Sequence, residues 1–225
     1  MKKSTVIMKD STQEFGRTTK AIESRQKLLL AGMEQFAEKG YSGASVRDIV
    51  GSIGYSVPSI SAYFGGKEGL ANAIVETLKQ TFVQPVIHDL STITTDRAWR
   101  VAVKGFVSDL IGLFASKDEP NRYFAALYRH ESANLHAKKV TLHEEIMVPI
   151  FHHFERLIEL GVPGRDKTTI RLATLSLWNN VLAYALKHPE TLAADVPEGI
   201  DPKLFREMTI DYMVEVGLSQ LNFTA

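Results

Sequence analysis

Cysteine is absent from the 225 residues. That excludes a disulfide framework and any thiolate metal site, and it fits a reducing compartment. Long apolar runs are missing too. The richest, Ile170 to Leu186, is interrupted by Arg171, Asn179 and Asn180. It is too short and too polar to span a bilayer. The first twenty residues are polar and mixed in charge, without the apolar stretch of a secretion signal. A cytoplasmic chain with no membrane partner is therefore expected. Runs of alternating β-branched residues are lacking, which argues against a sheet. So are a glycine-rich phosphate loop and a Ser or Cys nucleophile motif. The expectation is a protein that is not an enzyme and needs no cofactor.

Net charge is also lacking: 26 Lys and Arg balance 26 Asp and Glu. The distribution is less even. Residues 1–70 hold ten basic against seven acidic side chains, so the remainder is acidic by the same margin. A basic head on an acidic body suits a protein that touches nucleic acid at one end.

What is present reads with a helical period throughout, so the expected fold is all-α. Residues 1–20 read as a disordered arm. Leu28, Leu29, Gly32, Met33, Phe36 and Ala37 form one helical stripe, closed by Gly40 as a C-terminal cap. Val46, Ile49, Val50 and Ile53 form a second, shorter stripe, with Ser45 placed to cap it and Gly54 to end it. Ser56 is placed to cap a third helix, where Pro58 is harmless in the first turn. That helix stops at Gly65-Gly66. A fourth starts near Lys67 and carries Leu70, Ile74, Leu78 and Phe82 on one face, up to Pro85. Longer helices are expected over about 94–115, 120–135, 140–160 (kinked at Pro149), 166–188 and 202–221, with breaks between them including 189–201. The division expected is an arm (1–20), a three-helix domain (21–67) and a larger helical domain (68–225).

Two short helices joined by a tight turn, behind a longer supporting helix, form a helix-turn-helix. The second helix must enter the major groove, so its exposed face needs small or polar side chains. Val57, Pro58, Ser59 and Ser61 meet that demand, while Ile60 and Phe64 point back into the small core.

At these residues the chain resembles the DNA-binding domain of the tetracycline-repressor (TetR) family. The segment FAEKGYSGASVRDIVGSIGYSVPSISAYFGGKEGL matches the family's pattern in order and spacing. The resemblance implies roles for single residues. Ser45 would bind a phosphate. Arg47 would reach a base. Val57, Pro58 and Ser59 would begin the base-reading surface, with Ser61 farther along it. Tyr63 and Lys67 would hold phosphates; for Lys67 the start of a helix also favours an anion on general grounds. The family often has Lys or Gln at the position of Val57, Gly at that of Pro58 and Tyr at that of Ser61. With fewer polar groups, readout is expected through thymine methyls or DNA shape.

Each of these residues has a plainer alternative. Serines cap helices, Arg47 could pair with a carboxylate, and Tyr63 and Lys67 could sit solvated on the surface. His130, Glu131, His136, His143, Glu144, His152 and His153 invite a metal reading, but no HxxxH pair places two ligands on one helical face. No metal is expected. The aromatic residues of the second half read mostly as core, with Tyr128 and Trp178 chosen as candidates to line a ligand cavity. Residues 170–186 are apolar on more than one face, which calls for burial against a second chain. The helix with Phe205, Met208, Tyr212 and Val216 is the natural partner, and the family resemblance implies a four-helix dimer bundle from these two.

The function expected from all this is a ligand-responsive transcription regulator. It would be a homodimeric repressor that leaves double-stranded operator DNA when a small-molecule effector binds. The alternatives are a DNA-binding regulator controlled by a protein partner and, less in keeping with the missing catalytic motifs, a helical enzyme.

Overall fold

The computed structural model describes residues 10–86, 89–115, 119–133, 141–187 and 189–222, with the backbone alone at 10–18, 84–86, 189, 190 and 222. Residues 1–9 of the expected arm, and His136, lie outside these. Among the described residues the fold is all-α and contains no strand. The chain divides into two compact units, Met1–Ile74 and Val75–Ala225.

The first unit holds α1 (Asp10–Gly43), α2 (Val46–Gly51), α3 (Val57–Phe64) and the first turns of α4 (Lys67–Val86). Helix α1 already begins at Asp10, so residues 10–20 are not an irregular arm. They contain no proline, and the single Gly16 costs a helix only about 1 kcal/mol. Gly40 leaves the helical region at φ 68° and ψ 167°, which ends the long stretch of α1 where the apolar stripe runs out. The core is Leu28, Met33, Phe36, Ile49, Val50, Ile60, Leu70 and Ile74, all buried. Leu70 and Ile74 belong to α4. This is why the unit boundary lies seven residues past the expected one: the small domain needs the start of α4 to close its core. Gly32 lets α1 approach Leu70, since a Cβ there would stand 2.8 Å from Leu70 Cδ2.

The second unit is built around α5 (Asp96–Ala115), whose Trp99, Val103, Phe106, Val107, Leu110, Ile111, Leu113 and Phe114 are all buried. It packs against α6 (Asn121–Ala133), α7 (Val148–Leu160), α8 (Lys167–Ala185) and α10 (Pro202–Ser219). The rings of Phe106 and Phe154 stack at 4.4 Å, and Phe82 meets Phe124 at 4.9 Å. Each such side chain contributes about 1.5–3 kcal/mol by leaving water. Trp99 donates its indole N–H to the Leu157 carbonyl at 2.8 Å and packs where Gly161 has no side chain.

Two stretches differ from expectation. Pro149 stands in the first turn of α7, directly after a π-helical turn over His143–Met147. The wider turn absorbs the proline, which bends a helix when its missing N–H falls inside a regular ladder. Residues 189–201 are not wholly a break: Pro189–Ala194 forms a short helix, α9. Proline is well tolerated at a first helical position.

Candidate nucleic-acid interface and ligand cavity

Helix α2 is short because its caps come close together. Ser45 has extended backbone, and its Oγ accepts from Asp48 N at 3.1 Å. Accepting that bond leaves the hydroxyl proton available to donate outward. Capping and phosphate contact are therefore compatible at Ser45. Asp48, in turn, is held by Lys39 at 3.1 Å, which keeps its carboxyl below the ordinary range. Arg47, one residue earlier, is exposed and has no carboxylate partner among the described residues. The alternative in which it is tied up by a neighbouring acid has no support here.

Helix α3 starts at Val57, with Ser56 in the capping position. The side chain of Ser56 makes no capping bond, contrary to the expected role. The second helical position is Pro58, which has no N–H, and the Ser59 N–H is taken by the Ser56 carbonyl at 2.9 Å. The Ser56 hydroxyl instead meets the Ser59 hydroxyl at 3.3 Å. Val57 is 42% exposed, and Pro58, Ser61 and Ala62 are exposed as well, while Ile60 is buried. The outer face of α3 is thus small, and low enough for its backbone to approach a surface closely. Tyr63 is half-buried. Phe64 turns inward under the Arg25 guanidinium, 5.0 Å from the ring centre.

The turn into α4 is fixed by glycines. Gly65 and Gly66 have φ 75° and 128°, which side chains avoid. Gly69 is pressed against the end of α3, and a Cβ there would overlap the Phe64 carbonyl. Lys67 begins α4, but its ammonium does not simply project into solvent. It donates to the Ala44 carbonyl at 2.6 Å and lies 4.5 Å over the Tyr41 ring. The lysine therefore ties the start of α4 to the segment that leads into α2. Ser45 follows Ala44 directly, so the ammonium lies near the cap of α2.

In the second unit, the two aromatic candidates are packed. Tyr128 is 4% exposed, wedged between Phe114, Phe124 and His143, with its hydroxyl 3.3 Å from His143 Nδ1. Burial raises its phenol above the usual value. Trp178 is buried edge-on against Phe151 at 5.3 Å. Neither lines an apolar cavity that the described residues form farther along α5 and α8. That cavity, of about 460 Å³, lies between the ends of α5 and α8, helix α9 and the start of α10. Its walls include Ile111, Phe114, Tyr184, Leu192, Val196 and Phe205, with Lys187, Lys203 and Arg206 also lining it. The sequence signal that could have pointed there is Phe205 standing between two cations in the segment Lys203–Arg206.

A short helix with a small-residue face, braced by a preceding helix across a tight turn, defines a helix-turn-helix DNA-binding protein. Comparisons agree. The profile described as "Bacterial regulatory proteins, tetR family" matches residues 28–74. The chain is 26% identical to the HTH-type transcriptional dual regulator CecR of Shigella flexneri, over 75% of this chain and 78% of that one. Among solved structures, a transcriptional regulator from Rhodococcus sp. Rha1 shares the fold with a TM-score of 0.61 at 19% identity, over 89% of this chain and 99% of that one. The regulator FadR of Bacillus subtilis, solved with stearoyl-CoA, shares it with a TM-score of 0.56 at 17% identity, over 87% and 98%. Residues 28–74 therefore form a TetR-family DNA-binding domain, and the chain is similar to regulators of that type over most of its length. Its relatives are named as regulators rather than enzymes. Among the described residues no helix is long and apolar enough to cross a membrane.

Proposed function

We propose that the chain is a homodimeric repressor that binds a two-fold symmetric operator through α3 and releases it when a small molecule occupies the second unit. The observation that carries the DNA half is the low, exposed face of Val57, Pro58 and Ser61 beside the capped start of α2. Ser45, Tyr63 and Lys67 would bond phosphates, which set register. Arg47 and Ser59 would sense bases.

The dimer half is supported by a strip of apolar side chains on α10. Leu204, Met208, Tyr212 and Val216 recur every four residues and are all exposed, Tyr212 by 70%. On neighbouring α8, Leu172 is 62% exposed while Leu177, Trp178 and Val181 are buried within the chain. An apolar strip of this size on a helix pair is the mark of an interface. A second copy would cover it isologously, with the same patch on both chains. The similar regulator solved with stearoyl-CoA supports a sensing role, since a related fold accommodates a ligand.

The test is to isolate the genomic fragments this protein binds and footprint them. Protection should be two-fold symmetric, with half-site centres about 34–36 Å apart or a whole number of turns more. Protection of one asymmetric half-site by a monomer overturns the reading. A ligand that releases the operator must bind the operator complex more weakly than the free dimer by the same factor. Equal affinities would remove that ligand as an inducer.

A further inference from the structure

We propose that the cavity between the ends of α5 and α8, helix α9 and the start of α10 is a binding site for an apolar small molecule with one anionic head group. The proposal deepens the ligand-responsive reading and rests on it for any effect on DNA.

The argument is one of shape and charge balance. The cavity of about 460 Å³ has the size of ordinary small-molecule sites, about 300–1,000 Å³. Ile111, Phe114, Leu192, Val196 and Phe205 offer nothing but apolar surface, so what enters must be mostly hydrocarbon. The polar part of the lining is of one sign. Lys187 is neutralised by Asp195 at 2.7 Å. Lys203 and Arg206 have no carboxylate partner among the described residues. No acid of α10 forms an ion pair with either among the described residues: Asp201 caps the helix, Asp211 pairs with Lys104 and Glu215 with Arg100. Two cations without an ion-pair partner beside an apolar hollow favour an anion at the entrance over a cation.

Arg206 is also placed for this role. Its guanidinium lies alongside α5 at Gly112, where an added Cβ would stand 3.9 Å from Nη2. A longer residue at 112 would crowd it. Arginine presents a planar fork that takes both oxygens of a carboxylate or phosphate, and Lys203, one turn away, adds a point charge. The Tyr184 hydroxyl at the same lining can donate one more bond.

The probes are decanoate, decyl phosphate and 1-decanol, titrated calorimetrically into the full chain without DNA. Either anion should bind at least about tenfold more tightly than the alcohol, and which of the two is tighter identifies the head group. Lys203→Gln should weaken the anions about tenfold and leave the alcohol unchanged; Arg206→Gln should do more. Val196→Trp, which fills the hollow, should abolish binding of all three. Lys203 is exposed and outside the core, so that variant stays folded and interpretable even if Arg206→Gln does not. Equal affinity for anion and alcohol, or undiminished anion binding by Lys203→Gln and Val196→Trp together, overturns the proposal. Operator release is measured separately. Decanoate bound in the cavity with operator affinity unchanged sustains the site and removes its regulatory role. Release by some other compound, with neither anion bound, sustains the regulator and overturns the site.

Discussion

Replacing Glu131 with Gln should remove a pH dependence of stability. Glu131 stands near the end of α6, where Oε1 accepts from His143 N at 3.4 Å while Oε2 is buried with no hydrogen-bond partner among the described residues. Burial drives its carboxyl up to about 7 from an ordinary 4.5; the backbone N–H groups of His143 and Leu142 oppose that, and the Glu144 carboxylate adds to it. The native state therefore holds a proton that the unfolded chain releases above pH 4.5. Stability from this group is complete below pH 4.5 and is lost as pH rises through about 7. The full difference corresponds to about 3 kcal/mol, but the group is partly open to water, so about 1–2 kcal/mol is the expected size. Urea unfolding at pH 5 and pH 8, at one protein concentration, measures it. Wild type should lose about 1–2 kcal/mol more than Glu131→Gln between the two pH values, because the amide cannot ionise. Comparing the two proteins cancels every ionisation that does not depend on residue 131. Parallel losses in the two proteins would refute the assignment of a protonated Glu131.

Other substitutions test other parts. Lys67→Ala should weaken binding to every DNA sequence and flatten the salt dependence by about one ion. It should also destabilise the free protein by about 1–3 kcal/mol through loss of the Ala44 carbonyl bond and the Tyr41 contact, as thermal unfolding without DNA would record. Gly69→Ala forces a Cβ into the Phe64 carbonyl, so operator binding should vanish while the helix content of the second unit survives, which gel-shift and circular dichroism measure together. Met208→Glu with Tyr212→Glu places charges on the exposed strip of α10 and should yield monomers in sedimentation, with operator affinity falling by at least about 100-fold. Arg47→Ala and Ser59→Ala should relax preference at particular bases in a binding-site selection without altering the salt slope.

Where a residue's role is set by its neighbours in the chain, the sequence was legible. Gly40 ends the long stretch of α1, Ser45 caps α2, and Leu70, Ile74, Leu78 and Phe82 are all buried along one face of α4. Caps and stripes are local matters of dihedral angle and period. Where a side chain's partners depend on what packs alongside, the sequence was less legible. Ser56 makes no capping bond because Pro58, two residues on, has no N–H and the Ser59 N–H goes to the Ser56 carbonyl. Lys67 turned to Ala44 and Tyr41, a bond between residues 23 positions apart that no spacing announces. The same applies to the first residues of α1, which were judged on polarity although nothing in them stops a helix.

The cavity shows the limit most clearly. Large aromatic rings such as Tyr128 and Trp178 often line pockets, yet a ring fills space as readily as it borders it. Which of the two happens depends on the neighbours: Phe114, Phe124 and His143 close around Tyr128, and Phe151 and Phe154 around Trp178. A hollow survives instead where helices end. At the ends of α5 and α8 and the start of α10, short side chains such as Ala115, Ala185 and Ala193 and the brief α9 leave volume that no ring reaches. Lys187, Lys203 and Arg206 line the same hollow. A hollow in an all-helical domain is thus better sought at its irregular connections than in the aromatic content of its longest helices.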